Sequence, residues 1–121
     1  MARLSEIRRG DLVDVDLDPT RGSETGKIRP AVVVTNDTYN ARVPVIQVVP
    51  LTAWSEQKAR IRTNVIVEPS SANGLEKRSV ADCLQTRPID WRHRVRRIRG
   101  KVEPATLTQI EQALRVLFAL D

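Results

Sequence analysis

A polar loop over residues 22–30 carries the residue types in this chain that are best suited to chemistry. It contains a hydroxyl, a carboxylate, a lysine and an arginine, and it leads directly into an apolar run with three consecutive valines. That run favours a strand, because β-branched side chains suit a pleated surface. Arg29 precedes Pro30, which disfavours helix there and places the arginine at the strand entry. A charged loop fixed on a rigid element is typical of a functional site, and a solvated hairpin connection is the alternative.

The composition predicts one domain with a basic surface. The chain has 121 residues and a formal net charge of +5, so we expect a single domain over residues 1–121. An excess of positive charge favours an anionic partner such as a nucleic acid. Residues 92–101, called the basic run below, hold six lysines and arginines. This run predicts either a solvated surface or a phosphate-binding patch.

The chain has one cysteine, Cys83, and one histidine, His93. An internal disulfide is therefore excluded, and too few soft ligands remain for a typical zinc site, so we expect no metal and no cofactor. We expect Cys83 to be a small buried hydrophobe, because His93 lies in the basic run away from any nucleophile motif. No apolar run approaches the length of a membrane span, and the first residues are charged. These features predict a cytoplasmic protein with no membrane partner.

The elements that must position the loop are short strands and one helix. Alternating or continuous apolar residues predict five strands, over residues 12–17, 31–35, 43–51, 62–67 and 79–84. The first of these alternates valine with aspartate, which is typical of a half-buried strand. Residues 85–90 predict an edge strand or a bend, since Pro88 cannot donate to a central ladder. Pro104 begins a helix with an apolar stripe at three- and four-residue steps. The pattern predicts a mainly β (α+β) fold, with a small antiparallel barrel and a C-terminal α-helix.

Four motifs in this chain resemble the MazF/PemK toxin family in their order and spacing. They are Arg9-Gly-Asp-Leu-Val, Gly22-Ser-Glu with Arg29-Pro30, Pro50-Leu-Thr52, and Gln85-Thr-Arg87. The resemblance covers nearly the whole chain. It implies an SH3-like barrel with a C-terminal helix that forms a homodimer. It also implies a metal-independent endoribonuclease that cuts single-stranded RNA at short sequences and is neutralised by a cognate antitoxin.

The resemblance implies catalytic roles for three residues. Arg29 and Thr52 correspond to the catalytic pair of the family, and Glu24 corresponds to a carboxylate that is catalytic in some members. One branch of the family uses an aspartate just before the Gln-x-Arg motif as its base. This chain has Leu84 at that position, so that acid–base pair does not carry over.

Four further residues are candidates for RNA contact. Gln85 and Arg87 correspond to the family strand that contacts substrate, although Pro88 follows where members often carry threonine. Ser23, in the Gly-Ser-Glu motif, and Asn36, a candidate for binding a base edge, complete the predicted substrate-binding set. Structural alternatives remain, because Gln85 and Arg87 also suit cross-strand surface pairs and Asn36 suits a turn.

RNA cleavage of this kind needs no metal, because the ribose 2′-OH is the nucleophile. The expected products are a 2′,3′-cyclic phosphate, or the 3′-phosphate derived from it, and a 5′-OH. A guanidinium at Arg29 suits the added negative charge of the transition state, Thr52 can donate to a phosphate oxygen, and Glu24 can accept the 2′-OH proton. The alternatives are an ion pair of Arg29 with Glu24 or Asp16, a turn hydroxyl at Thr52, and a loop carboxylate without substrate contact at Glu24.

Two other functions fit the composition. One is a non-enzymatic binding toxin of related fold, such as a poison of DNA gyrase. The other is a basic RNA-binding module that uses the basic run and forms no product.

Overall fold

The computed structural model describes residues 6–120, so residues 1–5 and 121 of the predicted domain lie outside the described range. Seven strands form one antiparallel sheet in this part of the chain. The strands are β1 (Asp11–Asp16), β2 (Ile28–Val33), β3 (Val45–Ala53), β4 (Asn64–Val67), β5 (Ser79–Asp82), β6 (Arg87–Asp90) and β7 (Val95–Lys101). Their order across the sheet is β4-β5-β3-β2-β1-β7, and β6 pairs with β3. Among residues 6–120, β4 and β7 are not paired with each other, so the sheet is open and roughly barrel-like.

Four helices complete the described structure. They are α1 (Asp37–Asn40), α2 (Glu56–Ala59), α3 (Trp91–Arg94) and α4 (Pro104–Leu117). The predicted C-terminal helix is confirmed, and Pro104 occupies its first turn as expected. The predicted mainly β class is confirmed with it. No helix within residues 6–120 is long and apolar enough to cross a membrane.

The central strands are buried on both of their faces. Val13 and Val15 of β1 belong to one apolar cluster, and Leu12 belongs to a second that also holds Ile110 of α4. Successive side chains of a strand point to opposite faces, so a strand that feeds both clusters is covered on both sides. The prediction that β1 is half-buried is therefore wrong, because its residues 11–15 are all buried. The helix α4 covers the second cluster, and it thereby buries the face of β1 that was predicted to be exposed.

The basic run forms α3 and the seventh strand, β7, where the sequence predicted five or six strands in all. Val95 and Ile98 of β7 pair with Val15 and Val13 of β1, and both pack on the first cluster. The arginines of β7 reach the aspartates of β1, so their charge is compatible with a place in the sheet. Asp14 alone accepts hydrogen bonds from two of them.

Cys83 lies in a 3₁₀ turn over Cys83–Gln85, because β5 ends at Asp82 rather than continuing to residue 84. Its side chain is buried in the second apolar cluster. Burial raises the pKa of the Cys83 thiol to about 12. The thiol is therefore protonated at neutral pH and poorly suited to nucleophilic chemistry, as predicted for a buried hydrophobe.

Candidate active site

Arg29 and Thr52 lie on two neighbouring strands, β2 and β3, and line the same cleft. The pairing of β2 with β3 ends at Ala31 and Pro50, two residues short of Arg29 and Thr52. Residues directly opposite in an antiparallel pair project from the same face of the sheet. The end of this ladder therefore carries the two predicted catalytic residues into one cleft.

A cleft of about 240 Å³, called the Arg29 cleft below, lies over this pair. It is lined by Arg29, Pro30, Leu51, Thr52, Ala53, Leu75, Glu76, Lys77, Ser79 and Arg99. Three cationic side chains and one carboxylate therefore surround a largely apolar floor. Such a charge balance favours an anionic group such as a phosphate.

The guanidinium of Arg29 is half-buried and keeps its terminal nitrogens available. Its Nε donates to the carbonyl oxygen of Gly26 at 2.9 Å, which orients the side chain. Within residues 6–120 no carboxylate forms an ion pair with it. The alternative partners are engaged elsewhere, since Asp16 pairs with Arg96 at 2.8 Å and Glu24 accepts the Arg21 backbone N–H at 2.7 Å. The surface ion-pair interpretation of Arg29 is therefore wrong.

Thr52 lies inside β3, where it pairs with Val80 of β5, so its interpretation as a turn hydroxyl is also wrong. Its Oγ1 accepts a hydrogen bond from Lys58 Nζ at 3.3 Å. Lys58 lies on α2, in a segment for which the sequence predicted neither a strand nor a helix. No pattern in the sequence pointed to this contact.

Arg99 is a second cleft residue that the sequence did not single out within the basic run. Its Nε donates to Asp14 Oδ1 at 2.9 Å, and its Nη1 donates to the carbonyl oxygen of Gly74 at 3.0 Å. The side chain of Asp14 is only 10% exposed. A buried carboxylate thus holds this wall of the Arg29 cleft in place.

Glu24 lines a different cleft, of about 410 Å³, called the Gln85 cleft below. Its lining residues are Glu24, Leu84, Gln85, Thr86, Arg87 and Pro88. The structure therefore places Glu24 with Gln85 and Arg87, and not in the lining of the Arg29 cleft. The carboxylate of Glu24 is exposed on the loop that also leads to Arg29.

The polar side chains of the Gln85 cleft bind the protein's own backbone. Gln85 Oε1 accepts the Thr25 N–H at 3.2 Å, and Gln85 Nε2 donates to the carbonyl oxygen of Ser23 at 3.2 Å. Arg87 Nη1 donates to the carbonyl oxygen of Leu17 at 3.1 Å. These contacts attach the loop between β1 and β2 to the segment around residue 85. Ser23 contributes its backbone carbonyl group to this attachment, and Ser23 itself is exposed.

Asn36 lies away from both clefts. Its Oδ1 accepts the Thr38 N–H at 2.8 Å and caps the first turn of α1. It follows the end of β2 opposite to Arg29, and the strand from Arg29 to Val33 alone spans about 13 Å. The side chain thus has the turn-forming role that the sequence offered as its alternative.

Comparison with known proteins shows the family of this chain. The family profile described as PemK-like, MazF-like toxin of type II toxin–antitoxin system matches residues 8–118. The chain is 38% identical over 115 residues to Endoribonuclease MazF9 of Mycobacterium tuberculosis (strain ATCC 25618 / H37Rv), covering 91% of this chain and 94% of that protein.

Solved structures share the fold at lower identity. MazF from Deinococcus radiodurans superposes with a TM-score of 0.75 at 23% identity, covering 91% of this chain and 94% of that one. An endoribonuclease solved in complex with its cognate antitoxin, from a mycobacterial species, superposes with a TM-score of 0.74 at 22% identity, covering 93% and 95%. At these identities the likeness shows the fold. The family profile and the sequence relative establish that this chain belongs to the PemK-like, MazF-like toxin family of type II toxin–antitoxin systems.

Proposed function

We propose that this chain is a single-domain endoribonuclease toxin that cuts single-stranded RNA at short sequences without a metal. The observation that carries the proposal is that Arg29 and Thr52 line one cleft, with guanidinium nitrogens of Arg29 that pair with no carboxylate within residues 6–120. Its sequence relative is named an endoribonuclease, which supports the same activity here.

The scissile phosphate binds in the Arg29 cleft in this proposal. The ribose 2′-OH gives up its proton to a base and its oxygen attacks phosphorus, while the bond from phosphorus to the 5′-oxygen breaks. The departing 5′-oxygen takes up a proton from water, so that the products carry a 2′,3′-cyclic phosphate and a 5′-OH. Arg29 stabilises the extra negative charge of the five-coordinate transition state through two parallel hydrogen bonds, which a lysine does not reproduce. Thr52 donates to a phosphate oxygen. Electrostatic stabilisation of this kind commonly provides the largest part of the rate enhancement.

The Gln85 cleft receives the RNA next to the scissile linkage. Glu24 is the candidate general base for the 2′-OH, because its exposed carboxylate lies on the loop that leads into the strand of Arg29. Ser23, Gln85 and Arg87 are proposed as substrate contacts there, in addition to the backbone contacts they already make. Asn36 is expected to contribute least to RNA binding among the proposed contacts. Its side-chain oxygen caps α1, at the end of β2 that lies away from Arg29.

The partners follow from charge and from exposed apolar surface. We propose neutralisation by a cognate antitoxin segment that is acidic and covers the Arg29 cleft, since the chain has a net charge of +5. A homodimer in the cytoplasm is proposed as well. Several large apolar side chains near the end of α4 are exposed, among them Phe118 at 56% and Leu120 at 61%. Exposed apolar surface of this kind is typical of an interface between subunits.

The test is to incubate the purified chain with a long RNA of mixed sequence and to analyse the ends of the products. We expect discrete fragments with 5′-OH ends that polynucleotide kinase labels without prior phosphatase treatment. A substrate with a single 2′-deoxyribose at a mapped site should not be cut there. Excess chelator should leave the rate unchanged.

Arg29→Ala tests the assignment of the site, and Arg42→Ala is its matched control. Both residues are arginines, but Arg42 is exposed after α1 and lines neither cleft. We expect a loss of roughly a hundredfold to a thousandfold in kcat for Arg29→Ala and none for Arg42→Ala. Binding of RNA without products would favour the basic RNA-binding module, and inhibition of gyrase without RNA cleavage would favour the binding toxin.

A further inference from the structure

The contact between Lys58 and Thr52 determines how the Thr52 hydroxyl can act. Lys58 Nζ lies 3.3 Å from Thr52 Oγ1 and 3.3 Å from the carbonyl oxygen of Ala53. An ammonium group has three hydrogens to donate and no lone pair to accept with. Thr52 Oγ1 must therefore be the acceptor in this contact. The single hydroxyl hydrogen of Thr52 points away from Lys58 and is free for another partner.

The rest of the Thr52 side chain has little freedom. Threonine is β-branched and stiff at χ1, and Thr52 sits in β3, where it pairs with Val80 of β5. The main freedom left to the side chain is then rotation about the Cβ–Oγ1 bond, which moves the hydroxyl hydrogen. Because Thr52 lines the Arg29 cleft, a hydroxyl hydrogen that is directed away from Lys58 can point to an anionic oxygen bound in that cleft.

Lys58 itself is held by its backbone. Its N–H donates to the Ser55 side-chain oxygen that caps α2, at 3.1 Å, and its carbonyl oxygen accepts from Asn64 Nδ2 at 3.0 Å. The residue is half-buried. A lysine on a capped and tethered helical turn loses less freedom on making a hydrogen bond than one on a mobile loop.

We propose that Lys58 is a positioning residue that makes the Thr52 hydroxyl an obligatory donor to the scissile phosphate. This inference rests on the proposed function, which places that phosphate in the Arg29 cleft. The positive charge on the acceptor side of the hydroxyl also polarises the O–H bond, and linked hydrogen bonds strengthen one another. The benefit grows as negative charge develops on the phosphate oxygens. Loss of Lys58 should therefore lower kcat more than it raises KM.

A double-mutant cycle tests this coupling. Lys58→Met keeps the apolar stem without a donor, and Thr52→Val keeps the shape without a hydroxyl. We expect Lys58→Met to lower kcat about tenfold with KM changed by less than about twofold. Thr52→Val should cost at least as much. The double variant should be no slower than Thr52→Val alone, because the effect of Lys58 passes through the hydroxyl.

Two further variants separate positioning from general charge. Lys77→Met removes another cation from the cleft lining. The factor by which it lowers kcat should multiply with the factor for Thr52→Val, because the two residues act independently. Lys58→Cys alkylated with 2-bromoethylamine restores an ammonium group at nearly the same reach and should recover most of the lost kcat. The wild-type chain treated in parallel controls for alkylation of Cys83, which is buried. Circular dichroism of each variant verifies the fold.

The outcomes distinguish this inference from the proposed function. Full kcat in Lys58→Met together with a slow Thr52→Val overturns the positioning role and leaves the proposed function intact. A Lys58→Met loss that multiplies with Thr52→Val overturns it too, because Lys58 then acts on the RNA directly. Full activity in Thr52→Val overturns the role of Thr52 in the proposed function, and the inference fails with it.

Discussion

The Arg29 cleft and the Gln85 cleft contain similar side chains, and the protein uses them in opposite ways. In the Arg29 cleft, the guanidinium of Arg29 makes one backbone contact and pairs with no carboxylate among residues 6–120. In the Gln85 cleft, both ends of the Gln85 amide and one nitrogen of Arg87 bind backbone atoms of the loop between β1 and β2. The first cleft leaves the terminal nitrogens of Arg29 without a carboxylate partner in the described chain, and the second uses its donors to hold a loop.

The origin of the difference lies in the elements that carry each cleft. Arg29 and Thr52 stand on paired strands whose backbone groups are satisfied by the sheet. Their side chains need not stabilise local structure. The loop between β1 and β2 has few ladder contacts of its own, so its exposed backbone groups require partners from outside. A polar residue near such a loop is therefore more often a support than a free ligand.

The largest contrast is expected from the same conservative change in the two clefts. Arg29→Lys should lower kcat about a hundredfold or more, because one ammonium cannot replace two parallel guanidinium hydrogen bonds. Arg87→Lys should change it only a few-fold, since lysine can still donate to the Leu17 carbonyl group. Single-turnover cleavage of a defined RNA measures both. Equal losses would contradict the division of roles between the clefts.

The wall of the Arg29 cleft should depend on one buried carboxylate. Asp14→Asn leaves Arg97 and Arg99 without their anionic partner, and we expect a loss of about 3 kcal/mol in the free energy of unfolding. Asp16→Asn is the control, because its partner Arg96 is 48% exposed and such pairs contribute about 1 kcal/mol or less. Urea denaturation compares the two variants. A smaller loss for Asp14→Asn than for Asp16→Asn would show that burial of the carboxylate is not decisive.

Gln85→Ala should loosen the loop between β1 and β2 and leave the sheet intact. Two hydrogen bonds, to Ser23 and Thr25, are lost. We expect faster amide exchange at Thr25 and a decrease of about tenfold in kcat/KM, since a loop that carries Glu24 is less well placed. Hydrogen exchange read by mass spectrometry and cleavage kinetics provide the measurements. Unchanged protection at Thr25 would remove the tethering role from Gln85.

The smallest effect concerns acid stability far from both clefts. The Arg9 backbone N–H, which donates to Asp37 Oδ1 at 2.7 Å, is the main cause that lowers the pKa of Asp37 from its ordinary value of 3.8. A carboxyl with a lowered folded-state pKa stabilises the fold above its unfolded value and loses this as pH falls through the folded value. The unfolding free energy should therefore decline below about pH 4, and less steeply in Asp37→Asn. Cleavage at neutral pH should be the same in both proteins, whereas identical acid slopes would exclude Asp37 as a contributor.

Local patterns predicted the parts of the fold that depend on local contacts. The valines of β2 and the stripe of α4 indicated their elements because their periodicity lies within a few residues. The strand β7 was not predicted, because Val95 and Ile98 are its only apolar residues among many charges. Its stability comes from β1, and the contact of Arg96 with Asp16 joins residues 80 positions apart. No window of the sequence contains both partners.

The candidate site divides in the same way. The motifs pointed to Arg29 and Thr52, and the end of the ladder of β2 with β3 carries both into one cleft. The motifs also grouped Glu24 with them, whereas the structure puts Glu24 in the lining of the Gln85 cleft. Lys58 and Arg99 reach the Arg29 cleft through tertiary packing alone, so residue type and spacing carried no signal for them.

The ion pairs of the basic run affect how RNA affinity depends on salt concentration. Four arginines of the run are ion-paired with the aspartates at 14, 16 and 90. Each phosphate that a protein cation neutralises on a single strand releases condensed counterions and contributes about −0.7 to the slope of log K against log salt. Six unpaired cations would give a slope of about −4. Most of this charge is already paired with aspartates of the same chain, so the measured slope should be shallower. Discrimination between RNA sequences should therefore survive at physiological salt.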